Sequence, residues 1–182
     1  MNKIDDSQPF KPVNIAVLTV SDTRTLETDK SGDTLVERIA RDGHVLVDRA
    51  IVTDDVDKIR AQVRKWIDDP NVEVVISTGG TGVTGRDVTP EAMEGLFEKK
   101  IEGFGETFRW ISLQKIGTST MQSRATAGVA NATYIFALPG STGACRDGWD
   151  DILRWQLDIR FGPCNFAELM PRLNEGKIPR SG

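Results

Sequence analysis

The stretch Ser77-Thr78-Gly79-Gly80-Thr81-Gly82-Val83-Thr84-Gly85-Arg86-Asp87-Val88-Thr89-Pro90 decides how this chain folds. It leaves one regular element and enters another through four clustered glycines. Upstream, Val72 to Ser77 is a short run rich in β-branched residues, which predicts a strand. Downstream, Thr89 with Pro90 reads as an N-cap and first-turn pair, and Ala92, Met93, Leu96 and Phe97 form the apolar stripe of a helix. A strand, a glycine-rich turn and a helix in succession form the repeating unit of a parallel α/β sheet.

The segments on either side extend the same alternation. Val13 to Val20 is a nearly continuous apolar run, expected of a strand covered on both faces, and a polar loop from Ser21 to Gly32 follows it. Leu35, Val36, Ile39 and Ala40 then fall on one helical face before Gly43. His44 to Val52 predicts a strand at or near a sheet edge, because Asp48 and Arg49 interrupt it. Val56, Ile59, Val63 and Ile67 repeat at helical spacing up to Pro70. Further on, Phe104 to Lys115 predicts a helix ended by Gly117, and Thr133 to Leu138 a strand closed by Pro139-Gly140. Ser141 is placed to cap a last long helix with Trp149, Ile152, Leu153 and Leu157 inward. Thr118 to Asn131 shows no clear period. The fold class expected is α/β, with a mainly parallel sheet, helices on both faces, and ligands at the carboxyl ends of the strands.

The chain has 182 residues, which suits one domain. Lys plus Arg total 23 against 27 Asp plus Glu, a net charge of -4 that gives no electrostatic case for nucleic-acid binding. Any bound anion must therefore be recognised locally. Asp5, Asp6, Pro9 and Pro12 stand where a signal peptide would need a basic start and an apolar core, and no run reaches membrane-spanning length, so a cytoplasmic protein without membrane contact is expected. Cys145 and Cys164 lack metal or redox spacing and are expected to be buried free thiols.

Glycines permit positive φ and close approach of backbone to ligand, and a helix N-terminus adds free N–H groups and partial positive charge, so the loop predicts phosphate or carboxylate binding. Gly80, Gly82 and Gly85 satisfy GxGxxG, but the acidic strand end that a ribose would need about 20 residues on is missing. Gly80 to Asp87 has the spacing of GxxxxGK[ST], with Arg86 for the lysine and Asp87 for the hydroxyl residue. A carboxylate beside phosphates repels them unless a cation intervenes, so Asp87 points to Mg²⁺; its other reading is an acceptor of backbone hydrogen bonds at the helix start. Asp54 and Asp55 follow the second strand and read either as metal or nucleophile-orienting residues or as helix-capping acids. Asp22 has the same status after the first strand. Ser141 reads as an N-cap or a second anion anchor, His44 as structural, and Arg124 as a phosphate ligand or a surface residue.

Taken together, Thr78 to Gly82, Arg86 to Pro90 and Leu138 to Ser141 resemble the molybdenum cofactor biosynthesis family that includes MoaB, Mog and the G domains of plant Cnx1 and gephyrin. The strings Gly117 to Ala125, Gly128 to Asn131 and Pro163 to Phe166 resemble its MoaB branch. The resemblance implies a three-layer α/β/α fold, with a flexible N-terminal arm over 1–12, a single MoaB/Mog-like domain over 13–173 and a flexible C-terminal tail over 174–182. It implies molybdopterin and ATP as ligands, Mg²⁺ as cofactor, and adenylylation of molybdopterin with release of pyrophosphate. A non-catalytic molybdopterin carrier is the alternative. By motif position, Asp87 and Asp54 would be the catalytic and metal-holding residues. Ser21, Asp22, Thr78, Gly79, Gly80, Thr81, Gly82 and Ser141 would bind substrate or nucleotide. The family also implies a homotrimer or homohexamer.

Overall fold

A computed structural model describes residues 3–175 of the chain. Its strands are β1 (Lys3–Ile4), β2 (Asn14–Val20), β3 (Val45–Val52), β4 (Val74–Thr78), β5 (Lys99–Lys100), β6 (Thr126–Ala130), β7 (Thr133–Leu138) and β8 (Phe161–Gly162). The helices that matter below are α1 (Lys30–Arg41), α2 (Val56–Ile67), α3 (Thr89–Glu94), α4 (Glu102–Ile116) and α5 (Thr142–Gly148). The last of these continues through a π-helical stretch, Trp149–Leu153.

The main sheet has the order β3-β2-β4-β7-β6-β5. Its first four strands are parallel, while β6 and β5 add antiparallel pairings. Alternate side chains of the central strands face opposite ways, and both faces are covered. Ile15, Val17, Val74, Ile76 and Phe136 pack with Leu35 and Ile39 of α1, Phe104 and Phe108 of α4, and Trp149. On the other face, Ala16, Leu18, Val75 and Ile135 meet Ile59, Val63 and Trp66 of α2 and Met93 of α3. Each such fully buried aliphatic side chain contributes about 1.5–3 kcal/mol. This is the expected three-layer α/β/α architecture, with β3 at the edge.

Two strands of the main sheet, β6 and β5, were illegible in the sequence, as were the two-residue strands β1 and β8 outside it. Thr126-Ala-Gly-Val-Ala130 interleaves its two strand-favouring residues, Thr126 and Val129, with Ala and Gly, which disfavour strands, and its cover comes from Phe97 and α4. The two-residue β5 is too short to show a period. Thr89 does not cap α3 as expected: the N-cap position is Val88, without a side-chain bond, and the Thr89 hydroxyl donates instead to the Gly79 carbonyl at 2.8 Å. α1 starts earlier than expected, at Lys30, because Asp29 caps it by accepting from the Gly32 N–H at 3.0 Å.

Asp29 also anchors the loop behind β2. Its carboxylate is completely buried, accepts from the Thr19 hydroxyl at 2.6 Å and pairs with Arg49 at 2.8 Å. Burial pushes its pKa up, but the Thr19, Arg49 and Gly32 hydrogen bonds outweigh that and hold it below the ordinary value. His44 is structural, its Nδ1 accepting from the Val13 N–H at 3.1 Å. Cys145 is buried, but Cys164 is exposed, contrary to expectation.

The N-terminal arm is not free along its length, since β1 pairs antiparallel with β8. Of the C-terminal tail, 176–182 lie outside the described residues. Among the described residues no helix is long and apolar enough to cross a membrane.

Candidate functional site

The chain enters the sheet at β2, steps to β3 on one side, and returns to β4 on the other. The connections leaving β2 and β4 therefore run to opposite faces, toward α1 and α3. A crevice opens at the carboxyl ends of these strands, where doubly wound sheets bind their ligands. It is a cleft of approximately 700 Å³. Val20 and Ser21 line it from β2, Gly79 to Gly82 from the glycine-rich loop, and Pro139 to Ser141 from the end of β7.

The loop has a definite conformation. Gly79 and Gly80 have φ of 102° and 65°, both in the region that favours glycine. The Gly79 N–H donates to the Leu138 carbonyl at 3.0 Å, and the Thr89 N–H to the Gly80 carbonyl at 2.9 Å, which ties the loop to β7 and α3. The Gly80 and Thr81 amides donate to no group among the described residues. Unpaired amides beside an open cleft can receive anionic oxygens.

Asp54 and Asp87 come together at this cleft from positions far apart in sequence, and both line it. Their environments differ. Burial pushes the Asp54 carboxyl above its ordinary pKa, with repulsion from Asp22 and Asp87 adding to the effect and Arg86 opposing it. Asp87 is held low, first by the Thr84 hydroxyl at 2.6 Å, then by the Thr84 N–H at 2.9 Å and the Gly82 amide. The backbone-acceptor reading of Asp87 is therefore correct for one carboxylate oxygen, Oδ2, without removing the residue from the cleft.

The sign for Asp54 is the reverse of the usual carboxylate. A folded pKa raised above the unfolded value near 3.9 makes the group stabilising below that value; the contribution is lost as pH rises through the folded pKa. At neutral pH, in the absence of a cation, the ionised Asp54 opposes folding. Asp54→Asn is accordingly expected to raise Tm at pH 7.5 relative to the parent, with the difference shrinking as pH is lowered toward 4. Calorimetric unfolding across that range checks it, and a lower Tm for the variant at pH 7.5 contradicts it.

The other sequence-predicted residues divide into two groups. Ser21 and Ser141 line the cleft, and Ser141 also caps α5 by accepting from the Ala144 N–H at 3.1 Å, as its capping reading has it. Thr78 and Asp22 lie outside the lining. Thr78 is fully buried behind the loop, donating to the Pro139 carbonyl at 3.1 Å and accepting from the Cys145 thiol, whose pKa burial pushes up to about 11. Asp22 is a strut: it accepts from the Asp54 N–H at 3.1 Å and forms an ion pair with Arg86. The P-loop-like spacing thus gives no phosphate-facing cation at Arg86. Asp55 caps α2 through the Lys58 N–H.

Arg24 was missed. Among the described residues it is the one basic residue lining the cleft; it donates to the Gly140 carbonyl at 2.8 Å and lies 3.5 Å from Asp29. Its place in the polar loop after β2 was a signal, but its approach to Gly140 crosses 116 positions. Phe108, Ser112, Ser119 and Gln122, from α4 and the 3₁₀ turn Gly117–Gln122, form the opposite wall.

Comparison with known proteins agrees with this architecture. Residues 16–158 match the family described as "Probable molybdopterin binding domain". Molybdenum cofactor biosynthesis protein B of Escherichia coli (strain K12) is 54% identical over 160 residues, covering 88% of this chain and 94% of that protein. A crystal structure of a molybdenum cofactor biosynthesis protein B superposes with a TM-score of 0.84 at 40% identity, covering 92% of this chain and 99% of the other. The tungsten cofactor synthesizing protein MoaB from Pyrococcus furiosus superposes with a TM-score of 0.71 at 35% identity, covering 79% and 91%. With its sheet order, its glycine-rich loop at the switch point and these matches over most of its length, the chain belongs to the MoaB/Mog family of molybdenum cofactor biosynthesis proteins.

Proposed function

We propose that the protein adenylylates molybdopterin with Mg-ATP and releases pyrophosphate. The observation that carries the reading is the convergence of Asp54 and Asp87 with the unpaired Gly80 and Thr81 amides on one cleft. A terminal phosphate oxygen of molybdopterin would form a bond to the α-phosphorus of ATP, and the bond from that phosphorus to the oxygen bridging to the β-phosphate would break. The attacking phosphate is largely ionised at neutral pH, so no general base is required.

Two carboxylates lining one cleft, with Asp54 disfavoured as an anion first by burial and then by its acidic neighbours, form a hard-oxygen donor set suited to Mg²⁺, which commonly takes one or two carboxylates and completes its shell with substrate phosphates and water. Among the described residues no group of three or more metal-ligating side chains forms a closed cage, and a two-carboxylate site suits an ion that arrives with the nucleotide. Asp54 and Asp87 would hold it, and when bound it supplies charge neutralisation at the phosphoryl oxygens. The Gly80 and Thr81 amides orient phosphate oxygens, Arg24 balances anionic charge at the Gly140 end, and the Phe108 wall excludes water.

Incubating the protein with molybdopterin and Mg-ATP and measuring pyrophosphate tests this reading. Release stoichiometric with adenylylated pterin is expected. Tight pterin binding without release assigns the cleft to a carrier instead, and ATP affinity without pterin affinity assigns it to a nucleotide-binding regulator.

We also propose a homotrimer or homohexamer. Trp110, Leu113, Ile116 and Met121 at the outer end of α4 and the following turn are exposed apolar side chains that support it, and light scattering measures the mass.

A further inference from the structure

Arg124 lies between the 3₁₀ turn and β6, outside the lining of the cleft, and reaches the glycine-rich loop from behind. Its backbone N–H donates to the Thr81 carbonyl at 3.0 Å. In the guanidinium, Nε donates to the Gly82 carbonyl and Nη2 to the Asp87 carbonyl, each at 2.7 Å. The remaining nitrogen, Nη1, pairs with Glu91 on α3, the helix that the loop enters. One residue therefore grips the loop at both ends of the Gly82–Asp87 excursion and ties it to the helix beyond.

Such a grip matters because of what the excursion contains. Gly82 and Gly85 have more backbone freedom than other residues, and loop states that shift the backbone at Asp87 also shift its carboxylate. A guanidinium presents donors in a fixed planar fork, so it can hold two carbonyls and a carboxylate at once in one relative geometry; an ammonium on a flexible stem cannot. The trans peptide sets each carbonyl opposite the following N–H, so fixing the Gly82 and Asp87 carbonyls also fixes the Val83 and Val88 amides, pointing away from Arg124. We infer that Arg124 is a positioning residue whose guanidinium holds the Gly82–Asp87 excursion in the conformation that presents the Asp87 carboxylate to the cleft. Only its kinetic consequence rests on the adenylyl-transfer reading.

The test uses full-length protein and two independent readouts. In the unliganded protein, hydrogen exchange at the amides of 82–88 is expected to accelerate in Arg124→Ala and in Arg124→Lys, with the β2 and β4 amides unchanged. With molybdopterin and Mg-ATP, kcat is expected to fall roughly 10- to 100-fold, the scale of a small misplacement of a reacting geometry, while KM for both substrates stays nearly constant. Added guanidinium should restore part of the kcat of Arg124→Ala and none of that of Arg124→Lys. Unchanged loop exchange, or a raised KM with kcat intact, overturns the inference. If the parent protein releases no pyrophosphate, the adenylyl-transfer reading fails by itself and the exchange data still decide the role of Arg124. Should Arg124→Ala fail to fold, Glu91→Gln keeps the guanidinium and removes its anchoring charge. That variant should accelerate the same amides to a smaller extent, and no acceleration overturns the inference equally.

Discussion

Asp87→Asn is expected to lower turnover on the order of 10²- to 10³-fold, the scale seen when one electrostatic contributor to a transition state is removed, with molybdopterin affinity largely kept. On the adenylyl-transfer reading, the substitution separates two roles of one carboxylate. One role is structural: Oδ2 accepts from the Thr84 hydroxyl and amide and closes the turn at the end of the loop. An asparagine oxygen can accept the same bonds, so the loop and the thermal stability should survive. The other role is the negative charge, which the same bonds further favour by lowering the pKa and which the amide cannot replace. The loss should accordingly appear in kcat with Mg-ATP and not in pterin binding measured by calorimetry. Turnover near the parent level would remove Asp87 from the chemistry, and a large fall in Tm would make its role architectural.

The second expectation concerns stability. Gly79→Ala should destabilise the fold by about 3 kcal/mol or more, a fall in Tm of roughly 6–12 °C for a chain of this size. A Cβ at Gly79 would lie 2.2 Å from the Val20 carbonyl oxygen, which belongs to the backbone of β2, the strand paired with β4. That contact cannot be relieved by turning a side chain. The backbone at Gly79 is also at a φ of 102°, which side-chain-bearing residues rarely adopt. Gly85→Ala in the same loop provides the control: nothing lies within 4 Å of its Cβ position, and its change should stay within about 0.5 kcal/mol. Equal Tm values for the two variants would show that the loop can rearrange around Gly79.

These two glycines show where reading the residues stops. Both are glycines in one motif, and only their tertiary neighbours distinguish them. The Asp residues divide in the same way. Asp54 and Asp55 carry the same two readings in sequence, site acid or helix cap; in the fold Asp55 caps α2, whereas Asp54 lines the cleft because the β2–β4 crevice brings it beside Gly80. Asp22 follows β2 just as Asp54 follows β3, yet its carboxylate is consumed by Arg86 and by the Asp54 amide.

What the amino-acid sequence determined by itself was the set of elements whose burial is written in their own side chains. The two-faced apolar run of β2, the stripes of α1 and α2, the edge position of β3 and the glycine-rich turn all follow from periodicity and backbone permissiveness, which are local properties. Tertiary structure alone decided which loops meet. β6 lies in the sheet because its neighbours cover its small residues, Thr89 holds the Gly79 carbonyl instead of capping its helix, and the Arg124 guanidinium grips the Gly82 carbonyl 42 positions away. Spacing along a chain carries no record of such approaches, because they are set by the order of the strands and by which face each connection crosses.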